Sequence, residues 1–297
     1  MLKRTIYIST DLKVSVKNAQ LILADKSNGV EVSKIPIEDM AFLIIDNKLV
    51  NITIPALNEL VENNVGVLIC NEKGMPNMMV SPLESNTLQG QRYRIQLDAT
   101  LPAKKSIWQQ LITAKIKNQS MLLNYLNLEG DVLKPYYRNV KSGDSDNREG
   151  VAARIYWSML FGKGFIRSRD GLPPNNLLNY GYSILRAATA RAIVGAGLLP
   201  ALGVHHRNRS NAYPLADDFM EPFRPFVDNV VYNMTVNGIT ELSKGAKAEL
   251  IQVLYSDTVV GRKMHPLSIA LEMLCTSALK IMSGDGKLLS TPSLVDL

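Results

Sequence analysis

The hydrophobic period changes once along this chain, and that change divides it. Up to about residue 80, apolar residues come in short β-branched runs with partial alternation, the pattern of strands. Beyond residue 91 they recur every three or four positions, the pattern of amphipathic helices. Such a chain is expected to be α+β: a small, mostly β unit over 1–85, then a larger all-α unit over 86–297. Expected strands are Thr5–Ser9, Gln20–Leu23, Val30–Val32, Ile35–Ile37, Ala41–Ile45 and Val65–Cys70, with one helix over Ile54–Asn63. The segment Ser81–Gln91 reads as the hinge.

In the second part, helical spacing covers Ala103–Leu126, with Trp108 in its core stripe, and Asn175–Ala196. Further helices are expected over Pro225–Met234, Lys244–Tyr255 and Pro266–Met282, with a loosely held tail from Gly284. Asp146 or Asn147 caps a helix whose first turn carries Glu149, where the dipole favours a carboxylate. His265, beside a proline in a polar turn, reads as a surface residue.

No uninterrupted apolar run approaches the ~20 residues of a membrane helix. The basic N-terminus leads into alternation and not into a signal segment, so a cytoplasmic, membrane-free protein is expected. Two cysteines in apolar surroundings argue against a thiolate zinc site. The net charge is +6, and its placement is informative: between Arg138 and Arg224 stand twelve Lys or Arg against seven Asp or Glu, and ten of the twelve are arginine. Arginine offers phosphate planar, paired donors, which points to a phosphate-bearing partner.

Chemistry concentrates between Gly203 and Phe226, GVHHRNRSNAYPLADDFMEPFRPF. It holds His205 and His206, two of only three histidines, then Asp217, Asp218 and Glu221. Asp218 and Glu221, three apart, share a face if the segment is helical, although Pro222 and Pro225 disturb any helix here. Two carboxylates and one imidazole, with Glu149 as the best remote acid, suit Mg²⁺ or Mn²⁺ with open positions for phosphate oxygens. Adjacent histidines point apart, so at most one ligates. An acidic helix face salt-bridged to Arg207, Arg209 and Arg224 explains the same residues from spacing alone, and the two readings stand side by side. Arg186, Arg207, Arg209 and Arg224 are the phosphate candidates, and Tyr180 and Tyr182 could reach DNA or pack in the core.

At these residues the chain resembles a known family, the CRISPR-associated adaptation endonuclease/integrase, which inserts new spacers into a CRISPR array. The resemblance rests on Asn147-Arg148-Glu149-Gly150 followed by AARIYW, on NYGYSILRA, on LGVHHRN and on LADDFMEPFRPFVD. It spans essentially the whole chain and is most similar to the type II branch. It implies a metal triad of Glu149, His206 and Glu221, with Asp218 as a supporting acid. The family's Gly-x-x-His run falls on Gly203-Val204-His205-His206, which selects His206 and leaves His205 as the alternative ligand. Also implied are a homodimer formed through the β units and a small ferredoxin-like second adaptation protein completing a heterohexamer. Double-stranded DNA, both prespacer and CRISPR repeat, is the implied substrate. In the type II branch the effector nuclease and an accessory ring protein are further implied partners. The implied reaction is attack of a prespacer 3′-hydroxyl on a phosphodiester at the repeat boundary; water in its place gives cleavage. A rival class is a catalytically silent DNA-binding scaffold subunit. A hydrolase of small phosphate esters fits less well, because the arginines are spread over many positions.

Overall fold

A computed structural model of the chain describes residues 3–206, 208 and 210–295. Arg207 and Arg209 therefore lie outside the described residues. The chain forms two compact units, Met1–Glu84 and Ser85–Leu297, and the fold is α+β.

The first unit contains strands β1 (Arg4–Ile8), β2 (Leu12–Lys17), β3 (Gln20–Asp25), β4 (Glu31–Pro36), β5 (Met40–Ile45), β6 (Asn51–Ile52), β7 (Gly66–Cys70) and β8 (Pro76–Val80), with helix α1 (Ile54–Glu62). One sheet runs β1-β5-β7-β8, parallel through β1, β5 and β7 and closed by antiparallel β8. β5, MAFLII, is buried at every position, as a central parallel strand covered on both faces must be. The second sheet runs β4-β3-β2-β6. Its β2–β3 hairpin turns on Asn18 and Ala19, both with positive φ, the geometry that matches strand twist in a two-residue turn. The two runs expected at 30–32 and 35–37 form one strand, β4. Val14, Leu21, Ile37, Met40, Leu43, Leu60 and Val67 share a core between the sheets and α1.

The second unit holds α2 (Gln89–Asp98), α3 (Leu101–Tyr125), α4 (Lys134–Arg138), α5 (Arg148–Phe161), α6 (Asn175–Gly195), α7 (Pro214–Phe219), α8 (Arg224–Val236), α9 (Lys244–Ile251) and α10 (Leu267–Ser283). α3 is its spine. Thr100 caps it, accepting from the Ala103 N–H, and Pro102 sits in the first turn, where no donor is lost. Ile107, Trp108, Leu111, Ile112, Ile116, Leu122 and Leu123 are buried along it, and so are the polar Lys115, Asn118, Gln119 and Ser120. Buried polar groups need partners, and those of Lys115 and Asn118, namely Glu149, Glu221 and the Pro222 carbonyl, build the site.

Three expectations change in this unit. It is not wholly helical: β9 (Asp257–Val260), β10 (Lys263–Pro266) and β11 (Pro292–Leu294) form a small sheet in the order β10-β9-β11. Among the described residues the tail is not loose, because β11 pairs with β9 and the Asn118 side chain bonds both the Pro292 carbonyl and the Leu294 N–H. His265 lies not in a turn but in β10, opposite Thr258. Among the described residues no helix is long and apolar enough to cross a membrane.

Candidate metal centre

The site is assembled on one face of α3, where Trp108 and Lys115 lie seven residues apart and so project the same way. Two carboxylates reach Lys115 from different directions. Glu149 comes from the first turn of α5. That turn is fixed by Asn147, whose side chain accepts from the Gly150 N–H, and by Asp144, whose carboxylate accepts from the N–H groups of Arg148 and Glu149. Glu221 comes from a short 3₁₀ turn, Glu221–Phe223, between α7 and α8. Asn118 bonds the Pro222 carbonyl at 2.8 Å and ties that turn to α3.

The Lys115 Nζ stands 2.5 Å from Glu149 Oε1 and 2.6 Å from Glu221 Oε2. One cation thus receives an oxygen from each of the two acids. Arg224 approaches the other oxygen, with Nε 2.9 Å from Glu221 Oε1. Neither contact to Glu221 is aligned as a hydrogen bond: among the described residues Oε2 and Arg224 Nε have no directed partner. Burial opposes ionisation of Glu221, but Arg224 and then Lys115 outweigh it and hold the carboxyl below its usual range. Burial likewise pulls the Lys115 ammonium down, and Glu221 and Glu149 more than offset it, leaving the net shift upward. Behind Arg224, whose guanidinium lies 4.5 Å over the Tyr182 ring, the Tyr156 and Tyr182 hydroxyls both donate to Asp228. Burial raises the Asp228 carboxyl to about 6 despite those two bonds.

Asp218 and Glu221 make different contacts. Asp218 stands in α7 and Glu221 opens the 3₁₀ turn three residues on, with Met220 between them still in right-handed helical backbone. Asp218 is fully buried and clamps the loop before α7, accepting backbone N–H bonds from Val204 at 2.7 Å, His205 at 3.0 Å and His206 at 3.2 Å. Its Oδ1 also lies 2.6 Å from His206 Nδ1. With Nδ1 so engaged, Nε2 of the neutral ring is left as an acceptor. The Asp218 bond raises the His206 pKa above its ordinary value against the effect of burial, and Glu221 and Glu149 add to the rise. His205 is used differently: its ring stacks on Trp108 at 4.0 Å between centroids and 2° between planes, and burial lowers its pKa. Gly203 is required by close approach, since a Cβ there would sit 2.5 Å from the His206 carbonyl oxygen and 2.9 Å from Asp218 Oδ2.

Of the arginines proposed for phosphate, the two described ones are engaged within the chain. Arg224 is held by Glu221, and Arg186 pairs with Asp217 at 2.6 Å while also donating to Asn211. Arg207 and Arg209 belong to the undescribed positions. Beside the His206 loop opens a cavity of about 550 Å³, with Gln96, Lys104, Gly203, His206 and Asn211 in its wall. Tyr180 and Tyr182 are both buried, in keeping with core packing. Sequence reasoning missed Lys115. The signal was there: it falls four residues after Leu111 and seven after Trp108, inside the apolar stripe of α3, where a lone cation needs buried acids.

Among the described residues, no group of three or more His, Cys, Asp or Glu side chains is placed to hold a metal ion as it stands. The donor set nevertheless fits a hard divalent ion. Two carboxylate oxygens meet on one ammonium, one of them buried without an aligned hydrogen bond, and a half-buried imidazole that both acids influence is oriented through Nδ1 by Asp218. Such an arrangement defines a candidate divalent-metal centre in the helical unit of an α+β protein.

Comparison with known proteins agrees on the fold and gives the family. The fold resembles that of a solved "casposase bound to integration product", with a TM-score of 0.78 and 22% identity, covering 98% of this chain and 93% of that one. It also resembles a chain of a "Cas6-RT-Cas1--Cas2 complex", with a TM-score of 0.70 and 21% identity, covering 97% of this chain and 36% of that one. The "CRISPR-associated endonuclease Cas1" of Neisseria meningitidis serogroup C is 36% identical over 278 residues, covering 92% of this chain and 90% of its own. The family described as "CRISPR associated protein Cas1" matches residues 6–259. The chain belongs to the Cas1 family of adaptation endonucleases.

Proposed function

We propose that this chain is the metal-dependent DNA strand-transferase and endonuclease of CRISPR adaptation. The observation that carries the reading is the meeting of Glu149 Oε1 and Glu221 Oε2 on a single cation, beside an imidazole oriented by a buried acid. Glu149, Glu221 and His206 Nε2 would hold Mg²⁺ or Mn²⁺. When bound, such an ion polarises a phosphodiester and favours the attacking oxygen in its anionic form. The chain's own residues do the rest. Asp218 fixes the ring so that Nε2 and not Nδ1 is presented, and Arg224 keeps the buried Glu221 ionised.

The substrate proposed is duplex DNA, with a prespacer 3′-hydroxyl attacking a phosphodiester at the repeat boundary. The family assignment, the net charge of +6 and the likeness to a casposase bound to integration product support it. Arg207 and Arg209, flanking the site in sequence, are the proposed phosphate contacts; Arg186 and Arg224 are paired with acids and would need to leave them to touch DNA. A homodimer through the β units and a Cas2-type partner in a heterohexamer complete the proposed assembly. The likeness to a chain of a complex containing Cas2 supports the latter.

The test uses a labelled prespacer and a repeat-bearing plasmid with the partner protein present. Glu149→Gln and His206→Ala are each expected to abolish strand transfer while leaving DNA retention in place. Metal-dependent transfer by both variants would refute the assignment, and a wild-type chain that holds DNA but never transfers it would point to a silent scaffold.

A further inference from the structure

Lys115 occupies the point on which the metal centre is built. It is 7% exposed and belongs to a helix pinned on both sides of it, by the Trp108 stack on His205 and by the Asn118 bonds to Pro222 and β11. Its ammonium touches the same two oxygens, Glu149 Oε1 and Glu221 Oε2, that a divalent ion would take. A buried ion pair kept for stability alone needs well-aligned hydrogen bonds to offset desolvation. The ammonium donates one such bond, to Glu149 Oε1, but Glu221 Oε2 receives none, so the contact to Glu221 is held chiefly by charge.

The charges of the cluster also balance. Glu149 and Glu221 face Lys115 and Arg224, two against two. A divalent ion entering beside both cations would leave the cluster two charges positive in a largely buried setting, which is unfavourable at contact distance. Removal of the ammonium would leave the acids in excess and ready for an ion.

We propose that Lys115 is the resident counter-cation of this metal centre: it holds Glu149 and Glu221 on one point while no metal is bound, and it competes with the metal for them. Lys115 is thus a positioning residue that limits metal affinity. The inference rests on the metal-binding reading of the site.

The experiment is a Mn²⁺ titration of the full chain, read by electron paramagnetic resonance of free Mn²⁺ and by thermal unfolding at each concentration. Wild type is compared with Lys115→Met, Lys115→Gln, Lys115→Arg and Glu149→Gln. Lys115→Met and Lys115→Gln are expected to bind Mn²⁺ roughly tenfold more tightly or better, as follows from removing a unit charge at contact distance. Lys115→Arg, which keeps the charge, is expected to stay near wild type. If the neutral variants unfold without metal, Mn²⁺ is expected to restore their folding. Neutral variants that bind Mn²⁺ no more tightly than wild type, or that Mn²⁺ fails to refold, overturn the proposal. A wild-type chain whose Mn²⁺ binding is unaffected by Glu149→Gln would instead overturn the metal site itself.

Discussion

The Nδ1 of His206 lies 2.6 Å from Oδ1 of Asp218, a carboxylate with no exposure to solvent that also holds three backbone N–H groups of the histidine's own loop. One acid therefore sets both the path of the loop and the direction of the ring. Asp218→Asn places an amide N–H₂ against this array of donors. It is expected to cost about 2–3 kcal/mol of stability, since bonds to a charged acceptor are being lost. Strand transfer is expected to fall about 10- to 100-fold, as for other partners that orient metal-bound histidines. Thermal unfolding and a transfer assay check the two effects separately.

His206 also makes the site sensitive to pH. Its pKa is raised in the folded chain, with the Asp218 bond as the largest cause, so the imidazolium–Asp218 pair stabilises the fold fully below the unfolded value near 6.5. That contribution is lost as pH rises through the raised value. A metal needs Nε2 unprotonated, so Mn²⁺ affinity is expected to increase with pH up to the raised pKa and then level off. Calorimetry in buffers of different ionisation enthalpy should record a proton released on binding below that pH. No such release from wild type, or the same release from His206→Ala, would count against the imidazole as a ligand.

The two glutamates differ in what they hold up. The Glu221 side chain is 5% exposed and faces the buried Lys115 and the partly buried Arg224, whereas the Glu149 side chain is 28% exposed. Glu221→Gln leaves Lys115 and Arg224 with less compensation and is expected to destabilise the chain by about 3–5 kcal/mol. Glu149→Gln is expected to cost about 1 kcal/mol, because solvent screens the charge it removes. Both should abolish metal-dependent transfer. Denaturant unfolding at neutral pH without metal gives the comparison, and equal losses would contradict the burial argument.

Gly203 is required by contact. In Gly203→Ala the new methyl would stand 2.5 Å from the His206 carbonyl oxygen, a backbone atom that cannot turn aside. The loop must shift, at a cost of about 1–3 kcal/mol for forced overpacking. Transfer should fall more than the stability loss explains, with weaker Mn²⁺ binding as the independent readout.

The fold was legible where one local signal sufficed. The continuous apolar runs of β5 and β7, and the helical stripes of α3, α6 and α10, announce themselves. β2 was not read although LKVSVK alternates, because its turn is Asn18-Ala19 and lacks the glycine that marks most such hairpins. β11 is three residues long and depends on Asn118, 174 positions away in sequence from Pro292, so nothing local specifies it. At the site, spacing alone put Asp218 and Glu221 on one face. In the structure Asp218 bonds the His206 loop, while Glu221 pairs with Lys115. Residue chemistry left metal and salt-bridge readings in balance. The structure contains both elements, since Glu221 is ion-paired to Arg224 and Lys115 at the same point where Glu149 arrives.

Anomalous diffraction from crystals of the chain grown with Mn²⁺ would locate the metal. One peak per helical unit is expected, bonded to a carboxylate oxygen of Glu149, a carboxylate oxygen of Glu221 and Nε2 of His206, with Asp218 still on Nδ1. A peak on Asp217 or on His205, or no peak between Glu149 and Glu221 at Mn²⁺ concentrations that support strand transfer, would contradict it.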